Sequence, residues 1–409
     1  MCPFHYITFF SVHQIWEYGR HIRKRNTKSK EPCYQLIVEL PIDKTTGKRQ
    51  RIYETVRCSK KMAEQRLRQI MDDYENQSYV KSNNITVSEW VDKWYNLYIA
   101  NNLSVTTLQG YKYNIEHYIK TSALGRLPIQ DVSSADVQNW INELSNKSPV
   151  TGKPIRAKTV KNIYHNLSAA FDKAVDNELI KKNVCKSVVL PKPVKYQAEV
   201  YDEDEIEKLL KVINGTDMML PITLDLVLGL RRGELLGLKW HNIDFDKKLV
   251  TIEDNLVEVS KEVCKERIKT KKPKSASGER KIPITDSIIA LLKKGRARYN
   301  ENKLRYGKLF YDGDYVVCQP NGKPYNPNTF SRKFHRILVN NGLKPIRLHD
   351  IRHTNATLML THGVSPKVAQ MRLGHSDFGI TMNIYSHVLE SVEVSAAAAI
   401  EDTLFGKQA

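Results

Sequence analysis

Two prolines, Pro191 and Pro193, stand near the middle of the 409-residue chain, inside the stretch Val188 to Tyr196. Each fixes φ and lacks an amide hydrogen, so neither a helix interior nor a central strand can run through this stretch. It reads as an extended linker of basic character, and the residues on either side must close around separate cores. Two to four domains are expected at this length, with enough apolar material for each to bury a core.

Upstream, alternating apolar residues in Tyr34 to Val38 and Arg51 to Val56, separated by a turn signal at Asp43 to Gly47, predict strands. Ser59 then caps an amphipathic helix carrying Ala63, Leu67, Ile70 and Met71. The expectation for residues 21–80 is a three-stranded sheet backed by one helix, with a basic open face that includes Arg23, Arg25, Lys28, Lys30, Arg49 and Arg51. Such a sheet can enter a major groove, although a solvated basic face with no partner has the same composition. After the polar link Ser82-Asn83-Asn84, Thr86 and Glu89 are spaced as a capping box. Amphipathic segments follow to about Asn177, predicting a four-helix domain over residues 84–180. Lys112, Lys158 and Lys161 either line a DNA backbone or form the ordinary outer face of that bundle.

Residues 181–200 form the linker, and a third domain opens with Asp202 and Glu205 spaced as an N-cap and its partner. It reads as helices near 203–213 and 217–229, a strand region Leu249 to Val259, a lysine-rich turn, a strand Arg280 to Ile284, and mostly helix afterwards. The fold class is therefore multidomain and mainly α with small β-sheets: a sheet-plus-helix N-terminal domain, a helical bundle, and a mixed α/β, mostly α, third domain over 201–390. Residues 1–20 read as an N-terminal extension without an assigned role, and 391–409 as an apolar C-terminal helix and tail.

A formal net charge of +19 and a pI near 9.4 call for a polyanionic partner, most economically nucleic acid. The six cysteines are scattered without a C-x-x-C pair, as expected of reduced thiols in a cytoplasmic protein. The longest apolar run, Met218 to Leu230, is broken by Pro221 and Asp225 and is too short to cross a bilayer.

The chemistry concentrates in the third domain. His349 and Arg352 are three apart and so share a helix face; Leu373-Gly374-His375 and Tyr385 follow. Arginine holds phosphate oxygens, imidazole moves protons near neutrality, and a tyrosine hydroxyl can attack phosphorus and remain attached. Tyr385 is the only tyrosine after Tyr325. Taken singly, Arg352 could be a surface ion-pair residue, His375 a packing histidine and Tyr385 a core ring; their joint occurrence argues for a site. Arg231 directly follows an apolar helix, where burying it requires an acid or an anion, and Glu234 supplies the acid. A lysine from the turn Lys271 to Arg280 could protonate a leaving oxygen.

Arg231-x-x-Glu234 after Gly-Leu, the Pro273-Lys274-Ser275 turn ahead of Ile282-Pro283, His349-x-x-Arg352, Leu373-Gly374-His375 and Tyr385, in this order, resemble the tyrosine recombinases, the phage-type integrases. The upstream domains are similar to the arm-binding and the SAM-like core-binding domains of integrases from phages and conjugative transposons.

The resemblance implies a site-specific recombinase that integrates and excises a mobile element through a 3′-phosphotyrosine. Arg231 and Arg352 would clamp non-bridging oxygens, with Glu234 holding Arg231. Lys274 would be the leaving-group acid, favoured over Lys271 and Lys272 by its Pro-Lys-Ser context. His349 would be the base, His375 a donor to the phosphate, and Tyr385 the nucleophile. It further implies double-stranded DNA with core and arm sites as partner, a homotetramer on DNA, an excision factor, C-terminal docking on a neighbouring subunit, and no metal, ATP or other cofactor. Other readings are a type IB topoisomerase, a zinc site on His349, His353 and His375, and a DNA-binding regulator without catalysis. Against zinc, Asp350 stands where a metalloprotease needs Glu, and Arg352 is an unwelcome cation.

Overall fold

The computed structural model describes residues 19–26, 31–42, 49–76, 79–81, 83–194, 198–259, 268–271, 279–375, 377–379, 382, 401, 404 and 406. Its residues divide into two compact units, one of 1–103 with 110–194 and the other of 104–109 with 195–409.

In the first unit, β1 (Arg20–Arg25), β2 (Cys33–Ile42) and β3 (Arg49–Arg57) form an antiparallel sheet in that order. Residues two apart share a face, so Leu36, Val38 and Leu40 of the central strand all turn inward. They meet Ala63, Leu67 and Ile70, which recur at helical spacing along α1 (Lys60–Glu75). Ser59 starts this helix by accepting the amide of Met62 through its side chain.

The second core of this unit collects residues of α2 (Val87–Trp94), α4 (Ala123–Arg126), α5 (Ser134–Asn146) and α6 (Ala157–Asp176), with π-helical turns over Tyr95–Ile99 and Ile115–Ile119, and Tyr111 from the second half of α3 (Val105–Asn114) packs against it. The capping box at Thr86 and Glu89 forms as the spacing predicts. Trp90, Trp94, Trp140 and Phe171 fill this core, and Trp90 satisfies its buried indole by donating to the carbonyl of Ala170 at 2.8 Å.

The second unit opens with α7 (Glu203–Ile213), whose N-terminal capping box is built by Asp202 and Glu205. It continues through α8 (Met219–Leu228) and α9 (Arg232–Gly237). Pro221 is tolerated because it lies in the first turn of α8, where no intrahelical amide bond is lost. Two small antiparallel sheets follow. One orders β4 (Ile243–Asp244), β5 (Leu249–Ile252) and, from further along, β8 (Arg280–Pro283); the other pairs β6 (Asn255–Glu258) with β7 (Ile268–Lys271). Then come α10 (Asp286–Tyr306), α11 (Pro327–Asn340), α12 (Leu348–Thr361) and α13 (Pro366–Leu373).

The expected strand Leu249 to Val259 is therefore two strands in two sheets, parted at Glu253 and Asp254. Strand β7 escapes the sequence pattern because Ile268-Lys269-Thr270-Lys271 has one apolar residue, and its pairing with β6 is a main-chain matter. The lysine-rich turn consequently connects strands of different sheets. No helix among the described residues is long and apolar enough to cross a membrane.

Candidate active site

The site of the second unit is built where α8 ends. Its cap, Gly229, has φ 59°, and a Cβ there would lie 2.5 Å from both Asn355 Oδ1 and Leu373 Cδ2, so glycine is required on two counts. Leu230 is buried next, and Arg231 becomes the N-cap of α9. Glu234, one turn on, turns back: its Oε2 accepts the Arg231 amide at 3.0 Å and its Oε1 accepts the guanidinium at 2.7 Å.

The last carbonyls of a helix have no intrahelical donors and carry the negative end of its dipole. At the C-terminal end of α13 three successive carbonyls are met by three arginines from separate parts of the chain. Arg280, the first residue of β8, donates Nε to Arg372 O at 2.7 Å. Arg352 of α12 donates to Leu373 O at 2.7 Å, and Arg231 to Gly374 O at 2.6 Å. Arg352 spends another N–H on Gly229 O at 2.6 Å, while Arg280 reaches Glu234 Oε2 at 2.9 Å. Gly374, at φ 68°, then ends α13 and delivers His375, whose carbonyl is held by Gln370 at 3.2 Å.

Cation is in surplus here. Arg352 is 2 % exposed, and burial, followed by repulsion from Arg231, pulls its guanidinium from the ordinary 12.5 down to about 9. Burial opposes ionisation of Glu234, but Arg280 and Arg231 outweigh it and keep the carboxyl below its ordinary range. Asp225 is wholly buried and shifts the other way, well upward, because desolvation exceeds the pull of Arg352. Three guanidiniums thus share one firmly ionised carboxylate, an arrangement that favours an incoming anion.

The imidazoles are neutral at physiological pH. His375 is buried, and burial together with Arg352 and Arg231 pushes it down to about 3. His349 shows its outer edge to solvent, but the protein behind it, His353 and Arg352 bring it to about 4. His349 and His353 meet edge to face with centroids 5.1 Å apart. Neutral rings can accept a proton, and the like charge of the two arginines speaks against a zinc ion among them. Beside His349 opens a cavity of about 700 Å³ lined by Arg232, Ser331, Arg332, His335 and Arg347 among others.

The structure brings together Arg231, Glu234, His349, Arg352 and His375 from loops and helices up to about 140 residues apart in sequence (231 to 375). Lys274 and Tyr385 lie outside the described residues, as do Lys28, Lys30, Lys272, the first eighteen residues and the expected C-terminal helix apart from three isolated positions. Lys271 ends β7. In the first unit Arg23 and Arg25 are exposed on β1, Arg25 donating to Gln35 at 3.2 Å; Arg49 lies on β3. Arg51 is engaged by Glu39 at 2.7 Å, so part of the sheet's charge is neutralised. Lys112 lies on α3, and Lys158 and Lys161 are exposed on α6.

Sequence reasoning missed Arg280, Arg372 and Asn355. Arg372 donates to Val227 O at 3.2 Å, and Asn355 to Leu226 O at 2.7 Å, so both secure the end of α8. Arg280 did leave a signal: it alternates with Ile282 and Ile284, both buried, and so falls on the inner face.

The profile of the phage integrase family matches residues 199–391, and that of the phage integrase N-terminal SAM-like domain matches residues 86–145. A XerC-like tyrosine recombinase of Caldanaerobacter subterraneus subsp. tengcongensis is 30 % identical over 357 residues, covering 84 % of this chain and 90 % of that protein. The ICEBs1 integrase of Bacillus subtilis is 26 % identical, covering 91 % and 97 % respectively. Among solved structures, the Tn1549 transposon integrase in complex with transposon right end DNA superposes with a TM-score of 0.64 at 23 % identity, over 78 % of this chain and 99 % of that one. A lambda integrase tetramer bound to a Holliday junction gives 0.57 at 20 %, over 87 % and 92 %.

Proposed function

The chain belongs to the phage integrase family of tyrosine recombinases, enzymes that recombine DNA, and from that premise we propose how its own residues cut and rejoin strands. Arg231 and Arg352 hold the non-bridging oxygens of the scissile phosphate with the N–H groups their carbonyl partners leave over, and Glu234 keeps Arg231 aimed. Tyr385 Oη attacks phosphorus, its proton passing to neutral His349, and the bond to the 5′ oxygen breaks as Lys274 gives that oxygen a proton. His375 donates to a phosphate oxygen. The resulting 3′-phosphotyrosine conserves the bond energy, and a 5′ hydroxyl of another strand displaces the tyrosine by the reverse steps.

The observation that carries this reading is the surplus of guanidinium charge around Glu234, flanked by imidazoles held neutral. Such preorganised donors stabilise the extra charge of a pentavalent phosphorane. We further propose the same division of labour as the sequence suggests: 21–80 for arm-type sites, 84–180 for the core site, 201–390 for catalysis and 391–409 for docking on a neighbouring subunit. Each copy cuts one strand, so exchange between two duplexes takes a homotetramer, acting in the cytoplasm on a mobile element such as a conjugative transposon or prophage, with an excision factor setting direction. Incubation with a nicked duplex carrying the element's attachment site tests the scheme. A covalent protein–DNA complex is expected, with the nucleotide on the Tyr385 peptide and no complex from Tyr385→Phe. An adduct formed by that variant would overturn the assignment.

A further inference from the structure

The third arginine of the cluster has no place in the scheme above. Arg280 is 8 % exposed at its side chain and donates to Arg372 O and to Glu234 Oε2, so it is turned away from solvent and toward protein acceptors. Those two acceptors are the ones that fix the phosphate clamp. Glu234 aims Arg231, and the carbonyls next to Arg372 O are the seats of Arg352 and Arg231.

We infer that Arg280 is a positioning residue for the recombination reaction: by bridging Glu234 and the end of α13, it sets where the guanidiniums of Arg231 and Arg352 point. The inference rests on the recombinase reading. Its geometry is specific to a guanidinium, whose rigid fork can serve an acceptor at Nε and another at a terminal nitrogen. An ammonium offers its donors from a single nitrogen and lacks this planar two-point fork. Arg231 is the clamp residue with most freedom, 37 % exposed at its side chain, whereas Arg352 is locked in the core. Loss of Arg280 therefore releases Arg231 first. A misplacement near 1 Å at a reacting centre lowers rate by about 10²-fold.

Arg280→Lys and Arg280→Gln, checked for fold by thermal melting, are to be assayed for single-turnover cleavage and DNA affinity beside the unaltered protein. Three scissile groups are compared: the phosphodiester, a methylphosphonate lacking one charged non-bridging oxygen, and a 5′-bridging phosphorothiolate whose thiolate leaves without an acid. DNA affinity should stay within about 3-fold, because backbone contacts elsewhere supply it. Diester cleavage should fall by about 10²-fold in both variants. The loss should persist on the phosphorothiolate and shrink to about 3-fold on the methylphosphonate, where less charge needs clamping.

Native rates on the diester would overturn the inference. So would recovery on the phosphorothiolate, which would assign Arg280 to the leaving-group acid, or an equal loss on all three groups, which is what simple damage gives. Failure of both variants to fold would also count against it, since the role assigned is aim and not stability. If the unaltered protein forms no adduct, the recombinase scheme itself fails, which is a separate result.

Discussion

Replacing Arg352 by methionine should abolish cleavage without the large loss of stability that removing a buried side chain usually brings. The guanidinium is 2 % exposed, and burial with the neighbouring Arg231 pulls it from 12.5 to about 9. At neutral pH, holding it charged in the fold therefore costs about 5 kcal/mol relative to the unfolded chain. The sign follows from linkage: the folded value is the lower one, so this penalty is fully present below about pH 9 and lifts as pH rises from there toward 12.5. Methionine matches much of the volume and carries no charge, but it leaves Gly229 O and Leu373 O without this donor. Each orphaned carbonyl costs about 1–3 kcal/mol. The balance lies between a loss of about 1 and a gain of about 3 kcal/mol in unfolding free energy. Urea unfolding at pH 7.5 measures it, and the nicked-substrate assay measures cleavage. A loss of more than about 2 kcal/mol would show that the carbonyl bonds, and not the desolvated charge, dominate the site's energetics. The reasoning would then be wrong.

Three further outcomes are expected. Gly229→Ala places a methyl 2.5 Å from Asn355 Oδ1 and Leu373 Cδ2 at a positive φ, and should cost about 2–4 kcal/mol by urea unfolding; a change under about 0.5 kcal/mol would mean the turn relaxes freely. His375 is neutral in the fold, so stability is complete above about pH 6.5 and is lost as pH falls toward 3; between pH 7.5 and 5.0 this one ring accounts for about 2 kcal/mol, which His375→Gln should remove from the pH profile. Lys158→Ala with Lys161→Ala should weaken DNA binding at all sequences alike and flatten the plot of log affinity against log salt by about two phosphate contacts; an unchanged slope would make α6 an ordinary solvated face.

What the sequence disclosed depended on the range of the interaction. The caps at Ser59, Thr86 and Asp202 were legible because each is settled within four residues. His349 and Arg352 were legible as helical neighbours, and Glu234 as the acid one turn beyond Arg231. Strand β7 was not, since a strand held by main-chain bonds needs no apolar pattern of its own. Nor was the role of Arg280, which depends on β8 returning beside β5 to point a guanidinium at residues 46 and 92 positions away. Asp350 is an exception to that rule: Arg347, only three residues away, binds it at 2.7 Å as the capping partner of α12, yet the sequence drew notice to Asp350 only as standing where a metalloprotease needs Glu.

The central claim is that Arg231 and Arg352 act on one phosphate with Tyr385 opposite the leaving oxygen. A crystal structure of the protein on attachment-site DNA, with orthovanadate in place of the scissile phosphate, tests it most directly. Both guanidiniums should donate to equatorial vanadate oxygens while Arg280 stays on Glu234, and Tyr385 Oη should occupy one apex. A vanadium centre bound by neither arginine, or an apex filled by another side chain, would contradict the account.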